Sequence, residues 1–147
     1  LSPEDTIKHP RPMIHSNDLN FSFSGLKTAV LYLVRDLQAK YDIKKLRPAI
    51  AREFQNAVVE VLTAKTLKAA KKYKAKRILL GGGVAANKLL RNTLSTQARM
   101  SRVELFTSPL SLTGDNALMI AVSAFFQKKK ARKNISLLRA TGQLRIS

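Results

Sequence analysis

The sequence predicts an α/β fold, and three observations carry that prediction. Ile78, Leu79 and Leu80 form a short apolar run stopped by three glycines in a row, the pattern of a buried strand. Val84, Leu89, Leu90 and Leu94 then recur at helical spacing, which predicts a helix over 84–94. A second apolar run, Val103 to Phe106, closes at Ser108-Pro109 and reads as another short strand.

The remaining elements follow in order. Residues 1–20 are expected to be an irregular connecting segment. Pro3, Pro10 and Pro12 remove donors and fix φ, while Ser16, Asn17 and Asp18 are turn formers. His9 and His15 lie six apart in this loop, which is no metal spacing, so both are read as structural and solvated. Phe21-Ser22-Phe23-Ser24 alternates as a half-buried strand does, and Gly25 ends it.

A helix is predicted next, with Leu26, Ala29, Val30, Leu33, Val34 and Leu37 on one face and Ser24 at its N-cap. Lys27 in its first turn opposes the helix dipole, a weak pointer to an anionic ligand. Tyr41 to Arg47 reads as a polar connection. Pro48 suits the first turn of a long helix reaching about Lys74, with Ile50, Phe54, Ala57, Val58, Val61 and Leu62 as its buried stripe. Lys65, Lys68, Lys71 and Lys72 would form a positive ridge on its solvent side. Leu110 to Gly114 is a loop, and Asp115 opens a last amphipathic helix.

Two features hold chemistry. A strand, a turn without side chains and a helix start together expose backbone N–H groups to an anion or nucleotide. Gly81, Gly82 and Gly83 let such a ligand approach the main chain, and Asn87 can offer its amide to a ribose or base edge. The run is neither a Walker loop nor GxGxxG, so a plain tight corner is an equal reading. Asp115 is either an N-cap or a carboxylate held for a metal ion. Spacing alone favours the cap, since one carboxylate is one ligand.

Charge is the outlier of the composition. The 147 residues carry 27 Lys and Arg against 9 Asp and Glu, a net charge of +18. Such a field attracts polyanions, with nucleic acid ahead of an anionic membrane surface. After Asp115 no carboxylate follows, while Lys128, Lys129, Lys130, Arg132, Lys133, Arg139 and Arg145 do. Residues 128–147 therefore read as a basic, polyanion-seeking tail, expected to be poorly ordered. Cysteine is absent, which removes disulfides, thiolate ligands and a cysteine nucleophile. No apolar run approaches a membrane span and no secretory leader is read, so a soluble, cytoplasmic protein is expected. Position 1 is Leu rather than Met, and a piece of a longer protein is one expectation.

Four blocks then line up: HPRPM (9–13), FSFSGLKTAV (21–30), IAREFQNAVVEVL (50–62) with RILLGGGVAAN (77–87), and GDNALMIA (114–121). Together they resemble the C-terminal half of the TsaD/Gcp/Kae family of tRNA N6-adenosine threonylcarbamoyltransferases, over about residues 9–127. The resemblance implies an actin/Hsp70/sugar-kinase-like (RNase H-like) lobe over 21–127, incomplete without its N-terminal half. It also implies an acyltransferase chemistry in which threonylcarbamoyl-AMP gives its threonylcarbamoyl group to the adenosine beside the tRNA anticodon.

Carried over by residue, Gly82 and Gly83 match the nucleotide-contacting loop and Asn87 the asparagine that contacts the adenylate. Asp115 matches the aspartate that ligates one divalent metal ion, iron or zinc, whose His-x-x-x-His partners are absent from this chain. Gly114-Asp115-Asn116-Ala117 stands where the family usually reads Thr-Asp-Asn-Gly, removing a hydroxyl and narrowing the backbone approach.

The resemblance further implies tRNA and the other subunits of the threonylcarbamoylation machinery as partners, with no activity in the absence of the N-terminal half. The rival expectation is a non-catalytic basic tRNA- or partner-binding module built on the same lobe. A peptidase is set aside, because neither a Ser-His-Asp arrangement nor an HExxH helix is present.

Overall fold

A computed structural model describes residues 7–127. The chain divides into two compact units, Leu1–Thr113 and Gly114–Ser147. Pro3 and the basic tail expected over 128–147 lie outside the described residues.

The first unit is α/β and is built around one long helix, α2 (Ile43–Lys72). The Asp42 side chain accepts from Lys44 N at 3.0 Å and caps it. That cap starts the helix five residues before Pro48, so the proline sits in the second turn rather than opening the helix. The carbonyl that Pro48 cannot bond belongs to Lys44, in an exposed turn open to water.

α1 (Ser24–Gln38) packs on the start of α2, where Ile7, Leu37, Leu46, Ala49 and Ile50 form a buried cluster. α3 (Lys88–Met100) packs farther along it and buries Leu90, Leu94 and Ala98. With neighbours on several sides, α2 buries residues around its axis, so the single stripe expected is too narrow. Val59 and Thr63 are buried, while Phe54 is 37% exposed.

β1 (Arg77–Leu80) and β2 (Glu104–Thr107) pair in parallel, Arg77 opposite Glu104 and Leu80 opposite Thr107, with α3 as the crossover. The strand expected to be buried is not. Ile78 and Leu105 are half-buried on one face, while Leu79, 85% exposed, and Phe106 lie bare on the other, with no further layer among the described residues to cover them.

The helices before the two strands end alike. Beyond α2, Ala75 N donates to Ala70 O at 2.8 Å and Lys74 N to Lys71 O at 3.2 Å. Beyond α3, Val103 N donates to Ala98 O at 2.9 Å and Arg102 N to Arg99 O at 3.0 Å. Both are Schellman endings, whose left-handed residue is usually glycine. Here those residues are Lys74 (φ 51) and Arg102 (φ 56), at a cost of about 1–2 kcal/mol each.

The segment 7–20 is irregular, as expected, but it is fastened to α2 rather than merely solvated. Arg11 pairs with Glu53 at 2.5 Å and Glu60 at 2.6 Å. The Glu60 hydrogen bond, aided by that to Glu53, raises the guanidinium pKa above its ordinary value. His9 is buried, against the solvated expectation, with Nε2 3.4 Å from Ile50 O and its ring edge-on to Phe54. His15 is exposed.

Lys65 also departs from the expected ridge. Only 4% exposed, its Nζ donates to Ser16 Oγ at 2.7 Å, Asp18 O at 3.0 Å and Ser16 O at 3.2 Å. Lys68 donates to Ser16 O at 2.7 Å but stays exposed, so Lys68, Lys71 and Lys72 keep the outward side expected of that set. Residues 21–24 form no strand. They run directly into α1, whose N-cap is Phe23 and not Ser24, because no neighbouring strand is there to pair with them among the described residues.

In the second unit, α4 (Ala117–Phe126) begins after Asn116, whose Oδ1 accepts from Met119 N at 2.9 Å. Among the described residues no helix is long and apolar enough to cross a membrane.

Candidate functional site

The glycine turn follows the carboxyl end of β1. Gly82 has φ 85 and ψ 172, a region essentially closed to residues with a Cβ. Gly81 and Gly83 carry no positive φ, and a Cβ at any of the three would meet nothing within 4 Å. All three are exposed. The N–H groups of Gly82 and Gly83 have no acceptor among the described residues. Two main-chain donors without an acceptor therefore sit together in an exposed turn, as an anion site needs.

A 3-10 turn over Gly83–Ala86 separates the glycines from α3, so the helix expected from Val84 begins at Lys88. The competing geometry is the Asn87 cap. Its Oδ1 accepts from Leu90 N at 3.0 Å, and its Nδ2 donates to Gln55 Oε1 at 3.1 Å, tying the turn to α2. Asn87 is thus both a helix cap and a link between helices, with one amide hydrogen left over for a ligand.

Arg91 is the residue that sequence reading missed. Its Nε donates to Ala85 O in the turn, and its Nη2 donates to Ser108 O at 2.7 Å in the loop after β2. One guanidinium therefore holds together the two loops at the carboxyl ends of the parallel strands, the end where α/β sheets bind ligands. The available signal was an arginine one turn after the capping asparagine, between Leu90 and Leu94 of the helix's apolar face.

In the second unit Asp115 is exposed and has no hydrogen-bond or ion-pair partner among the described residues. It is not the cap of α4. Asn116 takes that role and also donates from Nδ2 to Gly114 O at 2.9 Å. No group of three His, Cys, Asp or Glu side chains able to hold a metal occurs among the described residues. Asp115 alone does not fit a metal ion, which needs further protein ligands.

Comparison with known proteins adds the family. The family model for tRNA N6-adenosine threonylcarbamoyltransferase (TsaD) matches residues 1–122. A relative from Thermosipho africanus bearing that name is 43% identical over 144 residues, covering 97% of this chain and 42% of the relative. One from Chromobacterium violaceum is 46% identical over 130 residues, 86% of this chain and 38% of its own. One from Lactococcus lactis subsp. cremoris is 43% identical over 134 residues, 90% and 39% respectively. The chain spans about two-fifths of the length of these curated relatives.

Proposed function

The chain belongs to the tRNA N6-adenosine threonylcarbamoyltransferase family, and from that membership we propose that it supplies the C-terminal, adenylate-contacting part of such an enzyme. The observation that carries this reading is the glycine turn, bare of side chains and open to solvent at the carboxyl end of β1. In this reading the free N–H groups of Gly82 and Gly83 receive the phosphate of threonylcarbamoyl-AMP, and Asn87 contacts its nucleoside. The exocyclic amine of the tRNA adenosine attacks the carbamoyl carbon, the bond from that carbon to the phosphate oxygen breaks, and AMP and the amine proton leave. The chain's own part is to bind and orient the adenylate.

The lobe is proposed to be actin-like and to act only with a further half that closes over the nucleotide, alongside the other subunits of the modification machinery. Asp115 is proposed as one ligand of a divalent iron or zinc ion whose other ligands, as the resemblance implies, are absent from this chain and come from the complementary half. Asp115→Ala should lower the metal content of the assembled enzyme, measured by elemental analysis, with helical content unchanged. The deciding experiment mixes the purified chain with threonylcarbamoyl-AMP and unmodified tRNA and follows AMP release. Little or no turnover is expected until the complementary half is added, and full turnover by the chain alone refutes the proposal.

The net charge of +18 supports a second reading, a basic tRNA-binding module without catalysis. It predicts salt-sensitive tRNA binding together with no affinity for threonylcarbamoyl-AMP, with or without a complementary half.

A further inference from the structure

We propose that the groove at the carboxyl ends of α2 and α3 binds the phosphate backbone of RNA, at a place separate from the glycine turn. The groove has a volume of about 680 Å³ and is lined by Lys68, Lys71, Lys74, Lys76 and Arg102. Its floor is apolar, from Ala70 and Val103 among others, and no carboxylate lines it. Lys71, Lys74, Lys76 and Arg102 form no ion pair among the described residues, and Lys68 spends one N–H on the neutral Ser16 carbonyl.

Two of these cations stand where the fold would prefer another residue. Lys74 and Arg102 hold the left-handed positions of the two Schellman endings, at φ 51 and φ 56. Glycine there keeps every main-chain bond of both endings and removes the strain. The fold has no use for a long side chain at either corner, yet both corners carry one that lines the same groove. Backbone strain retained twice for one purpose points to a ligand.

The chemistry of that ligand follows from number and shape. Helix carboxyl ends are electronegative, so the groove is positive only through its side chains. Five cations along an open channel exceed what one phosphate can use and suit successive phosphates of a chain. Their arrangement around a concavity with an apolar floor fits a strand of sugar and phosphate better than a flat anionic bilayer. The groove lies at the amino ends of β1 and β2 and the glycine turn at their carboxyl ends, about 13 Å apart along four-residue strands. The inference rests on the reading that this chain handles tRNA and gives that contact a location.

The test uses the full chain and an unmodified tRNA transcript, with affinity measured by fluorescence anisotropy over a range of salt. The double variant Lys74→Gly/Arg102→Gly should melt at or above the parent temperature yet bind tRNA about tenfold more weakly, with a salt slope smaller by about 1.5 to 2. Should that variant lose stability, Lys71→Ala/Lys76→Ala, at exposed positions, replaces it and should show the same loss. Unchanged tRNA affinity and slope in a folded variant overturn the groove, as does a loss confined to phosphatidylserine vesicles. Calorimetry with threonylcarbamoyl-AMP separates the two readings. A parent chain that binds tRNA through the groove but never binds the adenylate, even with its complementary half, overturns the enzyme reading and leaves the groove standing.

Discussion

Arg91 and Ser108, seventeen positions apart, are joined by a 2.7 Å hydrogen bond from Nη2 to the main-chain oxygen, while the same guanidinium holds Ala85 O. The loops that end β1 and β2 are therefore one braced unit, and the brace is a single side chain. Arg91→Ala should destabilise the chain by about 1–3 kcal/mol, since it strands two partly buried carbonyls. It should also weaken threonylcarbamoyl-AMP binding about tenfold by loosening the turn. Lysine at 91 reaches only one of the two carbonyls and should fall between. Urea melts and calorimetry read both effects; an alanine variant with parent affinity means that the brace is not needed for the site.

The glycines separate fold from ligand. At Gly82, φ 85 with ψ 172 penalises any Cβ, so Gly82→Ala should cost about 1–3 kcal/mol. At Gly83 the backbone is ordinary and a Cβ meets nothing within 4 Å, so Gly83→Ala should leave stability within about 0.5 kcal/mol. If the open space beside it is where the adenylate sits, the same methyl should weaken adenylate binding markedly. A Gly83→Ala chain that is stable and binds normally removes the turn from the site.

How much of this was legible depends on how local the signal was. The strand at 78–80 and the start of the glycine break could be read directly, because an apolar run and a loss of Cβ are properties of adjacent residues. The strand expected at 21–24 could not hold, because alternation gives a strand a face but not a partner. Lys65 read as solvent-facing because its spacing matches Lys68, Lys71 and Lys72, but its fate was set by Ser16 and Asp18, about fifty residues away. Asp115 and Asn116 compete for one cap position, and Asn116 won. Arg91 was missed for the same reason as Lys65: its acceptors are main-chain oxygens, which no sequence pattern marks.

Lys65 makes a third prediction. Its ammonium is buried, donates to two carbonyls and a hydroxyl and lies 3.5 Å from the Asp18 carboxylate. Removing the charge takes that donor from the Asp18 carbonyl and breaks the ion pair, while Ser16 O keeps Lys68. Lys65→Met keeps the apolar stem and should still cost about 1–3 kcal/mol. Hydrogen exchange at residues 13–20 should accelerate more than exchange in α3, because the side chain fastens that loop to α2. Uniform acceleration across the chain, or none, contradicts the fastening role.

The last prediction concerns acid. Burial of Glu53 opposes its ionisation, but hydrogen bonds from Arg11 and Asn56 outweigh this and hold its pKa below the ordinary 4.5. Asp18, through hydrogen bonds led by that from Ser16, is likewise lowered from 3.8. A carboxylate with a depressed pKa binds protons more readily in the unfolded chain, so folding is favoured wherever the group stays ionised. The contribution is complete above the unfolded value and disappears as pH falls through the lower folded one. Stability should therefore be flat above about pH 5.5 and decline below about pH 4.5, as the segment 7–20 loses its pairing to α2. Glu53→Gln keeps the shape but not the charge. Its stability should be lower than the parent at pH 7, and the difference should shrink toward pH 3, measured by urea melts at each pH. A difference that stays constant across that range means that the Arg11–Glu53 pair contributes through packing alone.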